Sequence, residues 1–460
     1  VKLAVVGAGW AGMAAAVEAA SRGFDVTVYE STRVLGGRAR ALPVHLPDGT
    51  PVTLDNGQHI LIGAYSETLA LMRRVGLHPH EHLLALPLSL PYPDGAGLRT
   101  PGWAARWPAP LDALAAIATA RGWHWRDRLA LVRTSLAWQR AGFACAPSQT
   151  VSQVCEGLPP RVMSELIEPL CVSALNVPAH QASGEVFLRV MRDALFGAGS
   201  QGFSASSLLL PRSDLSSLFP QAAADWLGMH HGERTRFRMG QRVSGLRARG
   251  GQWVLRAHDQ EAAFDHVIWA TAANPAAQAM AQAADGPESL RTWAQTADGL
   301  SFTAITTVYA WARDARLASP MLALRDGPAQ FAFDRGQLDT ASRAAQGVLA
   351  FVVSASHGER EELQARVLKQ AAVELKLPAL QAVQTVVEKR ATFACLPGVQ
   401  RPAACIAPGL WAAGDYVQGP YPATLEGAVR SGLRAVSGTS ANKGVHNGAT
   451  LQPNERNLPG

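Results

Sequence analysis

The chain is short of charge. Of its 460 residues only 17% are Asp, Glu, Lys or Arg, against 48% hydrophobic. That balance excludes a largely disordered protein and calls for large interiors. Its 42 basic and 36 acidic residues leave a net charge of +6. The excess is scattered, without the dense Lys/Arg blocks of a nucleic-acid binder, so no nucleic-acid partner is expected. No stretch approaches the about 18 to 20 uncharged apolar residues that a spanning helix needs. The first apolar run, Leu3–Val6, is too short for a secretory leader and leads straight into glycine. The expected setting is cytoplasmic, with peripheral contact at the inner face of the cell membrane left open. Cysteine is scarce too: Cys145, Cys155, Cys171, Cys395 and Cys405 show no C-x-x-C spacing and no His cluster beside them. They read as small buried hydrophobes in a reducing compartment, with no metal site expected.

What is present begins at the N-terminus. The length suggests two or three domains, and the opening reads strand, turn, helix, strand. Lys2 to Val6 is a short apolar strand, followed by the turn Gly7-Ala8-Gly9-Trp10-Ala11-Gly12. An Ala-rich helix then runs to about Arg22, closed by Gly23, and a second strand, Val26 to Tyr29, ends at Glu30. From about Leu83 the texture changes to a mainly helical insertion rich in Ala, Leu and Trp. Strands are expected at Arg242–Leu246, Gln252–Ala257 and Phe264–Ala270, then at Ile305–Ala310 and Val348–Val353. A last apolar strand, Leu410–Ala413, leads to Gly414-Asp415 and a helix from Thr424 to about Val436. The Gly/Asn/Ser/Pro-rich tail 438–460 carries no periodicity and is expected to be disordered. No internal repeat is visible.

Three motifs carry chemistry. In the first turn Gly7 permits tight curvature and Gly9 lets backbone approach a pyrophosphate. Gly12 lets helix and strand pack closely, and the helix N-terminus offers free N–H groups to an anion. Glu30, roughly 20 residues on, is placed to accept from a ribose 2′-OH and to repel a 2′-phosphate, which fits FAD or NAD but not NADP. The second motif, Leu35-Gly36-Gly37-Arg38, adds two close-approach glycines and a guanidinium able to clamp phosphate oxygens; its bland reading is a surface turn. The third, Gly414-Asp415 before the helix opening at Thr424, offers a carboxylate to a sugar-alcohol hydroxyl. It also points the positive end of a helix towards whatever lies before it; if that is a flavin's pyrimidine edge, the helix stabilises negative charge there.

Taken together, these motifs resemble the phytoene-desaturase/amine-oxidase superfamily of flavoproteins. Three further stretches resemble one branch of it, the squalene-associated FAD-dependent desaturases or hydroxysqualene dehydroxylases. They are Leu54-Asp55-Asn56-Gly57-Gln58-His59, Ala174-Leu175-Asn176-Val177-Pro178 with Ala182-Ser183, and Tyr421-Pro422-Ala423-Thr424-Leu425-Glu426-Gly427-Ala428. The resemblance runs from residue 1 to about 436 and is looser from 280 to 390. It implies an α/β fold of amine-oxidase/phytoene-desaturase architecture. A discontinuous Rossmann-like FAD-binding domain (1–82, 225–275 and 391–437) would carry an inserted α+β substrate domain (83–224 and 276–390). It also implies that the backbone of Val243 contacts adenine and that Gly57, Gln58 and His59 lie near the isoalloxazine ring. Thr424 and Leu425 would belong to the flavin site.

The activity implied is FAD-dependent reductive dehydroxylation of hydroxysqualene to squalene, with neighbouring squalene-pathway enzymes as possible partners. On this reading His59 is the expected proton donor, with Asp55 orienting it or holding the backbone of its own turn. Tyr65, Tyr421 and Trp10 are candidate aromatic neighbours of a developing cation, and Tyr421 is counted with His59 and Asp55 as a catalytic candidate. The competing readings are a polyene desaturase running the opposite way, an amine oxidase, and a non-catalytic prenyl-binding escort. The last would be marked by eroded flavin contacts, whereas Gly7, Gly9, Gly12, Glu30, Arg38, Gly414 and Asp415 are all present.

Overall fold

The computed structural model describes residues 1–441 except 105, 106, 108, 109 and 378. Its organising element is a six-stranded sheet in the order Thr235–Met239, Asp25–Glu30, Lys2–Val6, His266–Trp269, Leu410–Ala412, Cys405–Ala407. Every pairing is parallel except the last, which is an antiparallel hairpin. Strands buried on both faces read as continuous apolar runs, and Leu3-Ala4-Val5-Val6 and Val267-Ile268-Trp269 do so. The helices Trp10–Ser21 and Leu425–Ala441 pack against each other across this sheet. Their approach is close because the first is almost all alanine on its buried side and Gly432 faces it. A Cβ at Gly432 would lie 2.2 Å from the Ala11 carbonyl oxygen.

Some boundaries differ from expectation. The run Phe264–Ala270 is not one strand. Gln260–Phe264 closes a three-stranded antiparallel sheet with Val243–Arg249 and Gln252–Ala257, while His266–Trp269 enters the parallel sheet. Asp265 makes the break, its carboxylate accepting the Lys2 N–H at 2.8 Å and the Gln252 amide at 2.8 Å. The edge strand Thr235–Met239 goes unread in the sequence, and the helix Pro220–His231 packs on Trp10–Ser21. The C-terminal helix extends to Ala441, so the first residues of the expected tail are helical; the rest of it, 442–460, lies outside the described residues. Cys155, Cys171 and Cys395 are buried, but Cys405 is exposed on the edge hairpin.

The insertion is helical as expected, chiefly Leu111–Ala118, Trp125–Arg140, Glu168–Leu175 and Gly184–Phe196. It stands over a five-stranded antiparallel sheet in the order Met321–Ala323, Phe331–Asp334, Val348–Ser356, Phe302–Trp311, Gln381–Phe393. Asn176 fastens the two together. In a left-handed conformation (φ 52°) it ends the helix Glu168–Leu175. Its side-chain amide donates to the Thr303 and Thr392 hydroxyls at 2.9 and 3.0 Å and accepts the Ala355 N–H at 2.5 Å. Among the described residues, no helix is long and apolar enough to cross a membrane.

Candidate active site

The glycine turn is built as its spacing requires. Gly7 has φ +109°, and a Cβ there would meet the Ala270 carbonyl oxygen at 2.7 Å. A Cβ at Gly12 would come within 1.9 Å of the Gly7 carbonyl oxygen, so this contact between helix and turn admits no other residue. Gly9 caps the helix with extended backbone and no side-chain hydrogen bond, and the first turn holds no acid. The first turn of that helix therefore brings no counter-charge of its own to the positive end. The second loop lies directly on the first. The Gly36 N–H donates to the Ala8 carbonyl at 3.0 Å, and a Cβ at Gly37 would reach 3.2 Å from the Gly9 Cα. Glu30 accepts the Ala8 N–H at 2.9 Å through one oxygen and the Thr32 N–H at 2.8 Å through the other. Beside it, the Gln241 N–H donates to the Glu30 carbonyl at 2.8 Å, leading the chain to Val243 at the start of the next sheet.

The two ends of the sequence meet at Arg38. Its guanidinium donates to the Asp415 carboxylate at 2.5 Å and to the carbonyls of Ala391 and Arg390. Asp415 beside it raises the already high pKa of the guanidinium further. Arg38, expected to clamp phosphate, thus also ties the second loop to the C-terminal strand. Gly414 is held by its N–H to the Ser431 hydroxyl at 2.7 Å. Thr424 is the true cap of the last helix, its hydroxyl accepting the Gly427 N–H at 2.9 Å. The following carboxylate, Glu426, is fully buried and turns away. It accepts the Glu67 and Thr68 N–H groups at 3.1 and 2.9 Å and the Thr68 hydroxyl at 2.6 Å, which caps the helix Ser66–Arg74 from outside.

His59 and Asp55 are not partners. His59 donates from Nδ1 to the Gly57 carbonyl at 2.9 Å. Burial, with the nearby Arg38 charge adding to it, lowers its pKa and favours the neutral imidazole. Asp55 does not line the cavity. One oxygen accepts the Leu215 N–H at 2.7 Å, and the other faces the buried Arg335 guanidinium at 3.9 Å. Of the two roles expected of Asp55, holding backbone is the one its bonds show, on a segment far from its own turn. Burial pushes its carboxyl up to about 7 against the pull of Arg335. Arg335 also donates to Gln58 at 3.3 Å, and the Tyr309 hydroxyl donates to the Asp55 carbonyl at 3.0 Å. Neither residue carries a local signal that sequence reading could have used.

Tyr421 and Tyr65 meet edge to face with ring centroids 5.9 Å apart, and Arg430 stands over the Tyr421 ring at 5.2 Å. Burial, reinforced by the nearby Asp193 carboxylate, raises the Tyr421 phenol to about 12. Trp10 lines the same cavity as the two tyrosines, its indole donating to the Ala39 carbonyl at 3.2 Å and packing on Phe219.

One cavity of about 990 Å³ joins all of this. At one end it is lined by Gly7, Gly9, Glu30, Arg38, Val243 and Asp415; Ala8 and Gly12 shape that end from behind. Gln58, His59, Tyr65, Tyr421, Thr424 and Leu425 line its middle. At the other end its walls are apolar side chains of the insertion and the five-stranded sheet, among them Leu131, Trp138, Ile167, Leu170 and Phe331.

A family model of flavin-containing amine oxidoreductases matches residues 10–438. The chain belongs to that family. A hydroxysqualene dehydroxylase of Rhodopseudomonas palustris is 26% identical, over 94% of this chain and 96% of that protein. A zeta-carotene desaturase of Zea mays is 37% identical, over only 16% of this chain and 12% of its own. An oxidoreductase of Methanosarcina mazei shares the fold with a TM-score of 0.71 at 15% identity, covering 95% of this chain and all of that one. The protein is an FAD-dependent oxidoreductase of α/β amine-oxidase type. Its residues fit that cofactor: a helix N-terminus with no acid in its first turn, glycine surfaces that a Cβ would fill, and the Glu30 carboxylate in the cavity wall.

Proposed function

We propose that the enzyme removes the hydroxyl of hydroxysqualene reductively, giving squalene and water. The observation that carries this reading is the single cavity that runs from the glycine turn into an apolar chamber. A substrate that is hydrocarbon apart from one hydroxyl gains by burying its chains there. The likeness to hydroxysqualene dehydroxylases over nearly the whole chain supports the same reaction. In this reading Gly7, Gly9, Gly36, Gly37 and Arg38 hold the FAD phosphates, Glu30 and Val243 its adenosine half, and Gln58, Asp415, Thr424 and Leu425 its flavin half.

Replacing the hydroxyl by hydrogen takes a hydride, which reduced FAD supplies when bound, and a proton for the departing oxygen. We assign the donation to Tyr421, whose side chain lines the cavity beside Tyr65 and, as a phenol, carries its proton at neutral pH. Neutral His59 has its N–H committed to Gly57, so it offers the substrate hydroxyl an acceptor that orients it. This reverses the role the sequence suggested for His59. Asp55 supports the loop from behind. The apolar chamber keeps bulk water from a carbocation forming on the substrate.

The test is anaerobic incubation of the FAD-reduced enzyme with hydroxysqualene, with phytoene and with a simple amine. Squalene formation with flavin reoxidation is expected from the first alone. Oxidised enzyme that consumes phytoene instead would assign a polyene desaturase. With full flavin content, Tyr421→Phe is expected to slow squalene formation by on the order of 100-fold. His59→Ala should chiefly raise KM. The opposite pattern would return the donor role to His59.

A further inference from the structure

The helical insertion has a second face. Trp103, Trp107, Leu111 and Leu114 are exposed on the turn Gly102–Ala104, the residues after it and the helix Leu111–Ala118. Trp125, Leu129 and Leu136 are exposed on the helix Trp125–Arg140. Trp125 is 66% exposed and Trp103 62%. Elsewhere among the described residues the large exposed hydrophobics are Val1, Val34, Met229 and Val373, which stand apart in the chain. Trp125, Leu129, Arg133, Leu136 and Arg140 follow helical spacing, so they form one stripe along the outside of their helix. Trp103 and Trp107 lie against each other, and the two helices pack together.

Among the described residues of segment 99–140 the exposed Asp, Glu, Lys and Arg side chains have one sign. Arg99, Arg121, Arg126, Arg133 and Arg140 are exposed. The acids between residues 99 and 140, Asp112 and Asp127, are buried and engaged. Asp112 accepts the Ser206 hydroxyl at 2.7 Å and Asp127 the His124 N–H at 2.9 Å. The inner faces of the same two helices line the cavity through Ala113, Ile117, Leu131, Ser135 and Trp138. These helices therefore present hydrocarbon to the cavity on one side and Trp, Leu and Arg to the outside on the other.

We propose that this outer face docks on an anionic lipid bilayer, with Trp103, Trp125, Leu129 and Leu136 entering the headgroup–acyl boundary and the arginines meeting lipid phosphates. Exposed tryptophan and leucine interspersed with arginine match the apolar interior and negative surface of such a bilayer. Helices too short to span lie flat in its surface, which puts the wall of the cavity against the lipid. The docking does not depend on hydroxysqualene being the substrate.

The experiment is co-sedimentation of the FAD-loaded enzyme with vesicles of phosphatidylglycerol and phosphatidylethanolamine, and with vesicles of phosphatidylcholine alone. Binding is expected to the first, weakened by salt, and to be much weaker to the second. Leu129→Asp with Leu136→Asp should lower the bound fraction by more than about tenfold. Arg133→Glu with Arg140→Glu should lower it at least about fivefold per residue, and Met229→Asp should leave it unchanged. Flavin absorbance and melting temperature report that each variant is folded; should the leucine pair lose flavin, the arginine pair carries the test. Wild-type protein that stays in the supernatant with both vesicles would overturn the proposal. So would variants that bind as wild type, or a solution dimer that the leucine pair converts to monomer, which would make this face a contact between copies. Absence of turnover on hydroxysqualene, by contrast, leaves the vesicle result standing.

Discussion

Gly12 lies where the first helix crosses the turn, and a methyl group there would meet the Gly7 carbonyl oxygen, which is backbone and cannot swing aside. Gly12→Ala is expected to displace the turn, cost more than the about 1–3 kcal/mol typical of overpacking, and leave the purified protein with little flavin. Unchanged flavin content and melting temperature would show that the turn yields. Asp55 makes a different prediction. An unfolded Asp titrates near ~3.9, but here burial lifts the carboxyl to about 7. The folded protein holds that proton more tightly, so the group's contribution to stability is complete below about pH 4 and is lost as pH rises to about 7. The difference in unfolding free energy between wild type and Asp55→Asn should fall across that window and level off above it. A difference that grows with pH would mean that Arg335 keeps Asp55 ionised. The glycines and Glu30 were legible because their roles depend on near neighbours at fixed spacing. Asp55 was only half legible: Asp-Asn-Gly suits a self-bonded turn as well, and Leu215 and Arg335 reach it from distant parts of the chain.

At the scale of elements, the last helix does two jobs at its first turn. Thr424 caps it locally, and Glu426 caps the helix Ser66–Arg74. Glu426→Gln keeps the volume but removes the charge that receives those N–H groups. It is expected to cost about 2 kcal/mol of stability, read as a lower urea midpoint at unchanged slope. A shift under about 0.5 kcal/mol would mean that the amide serves equally well. The start of this helix was readable from Thr424. The external cap was not, because nothing near Glu426 names its partner. Likewise the break at Asp265 is hidden in an apolar run, since the groups that hold its carboxylate, the Lys2 backbone N–H and the Gln252 amide, come from elsewhere in the chain. The strand Thr235–Met239 escapes because its arginines give it the look of a surface segment.

Across the whole molecule, the ion pair of Arg38 and Asp415 joins the two ends of the sequence in the cavity wall. Asp415→Asn leaves the guanidinium with only carbonyl partners, and flavin is expected to leave the variant several-fold faster on dilution, followed by its fluorescence. Equal release would restrict Asp415 to a sugar contact without a positioning role. That the two ends cooperate was readable from the motifs; the joint cavity was not, because its walls come from segments far apart in sequence. The sheet order has a consequence for synthesis. Strand Lys2–Val6 takes His266–Trp269 as neighbour, and that strand takes Leu410–Ala412. A chain emerging from the ribosome exposes its glycine turn long before the parallel sheet beneath it is complete, because that sheet waits for residue 412. Such pairing is late and slow, and it leaves apolar strands uncovered meanwhile. Flavin capture is therefore expected only after residue 412 has emerged, and a ribosome stalled before Leu410 should carry a colourless chain that chaperones hold.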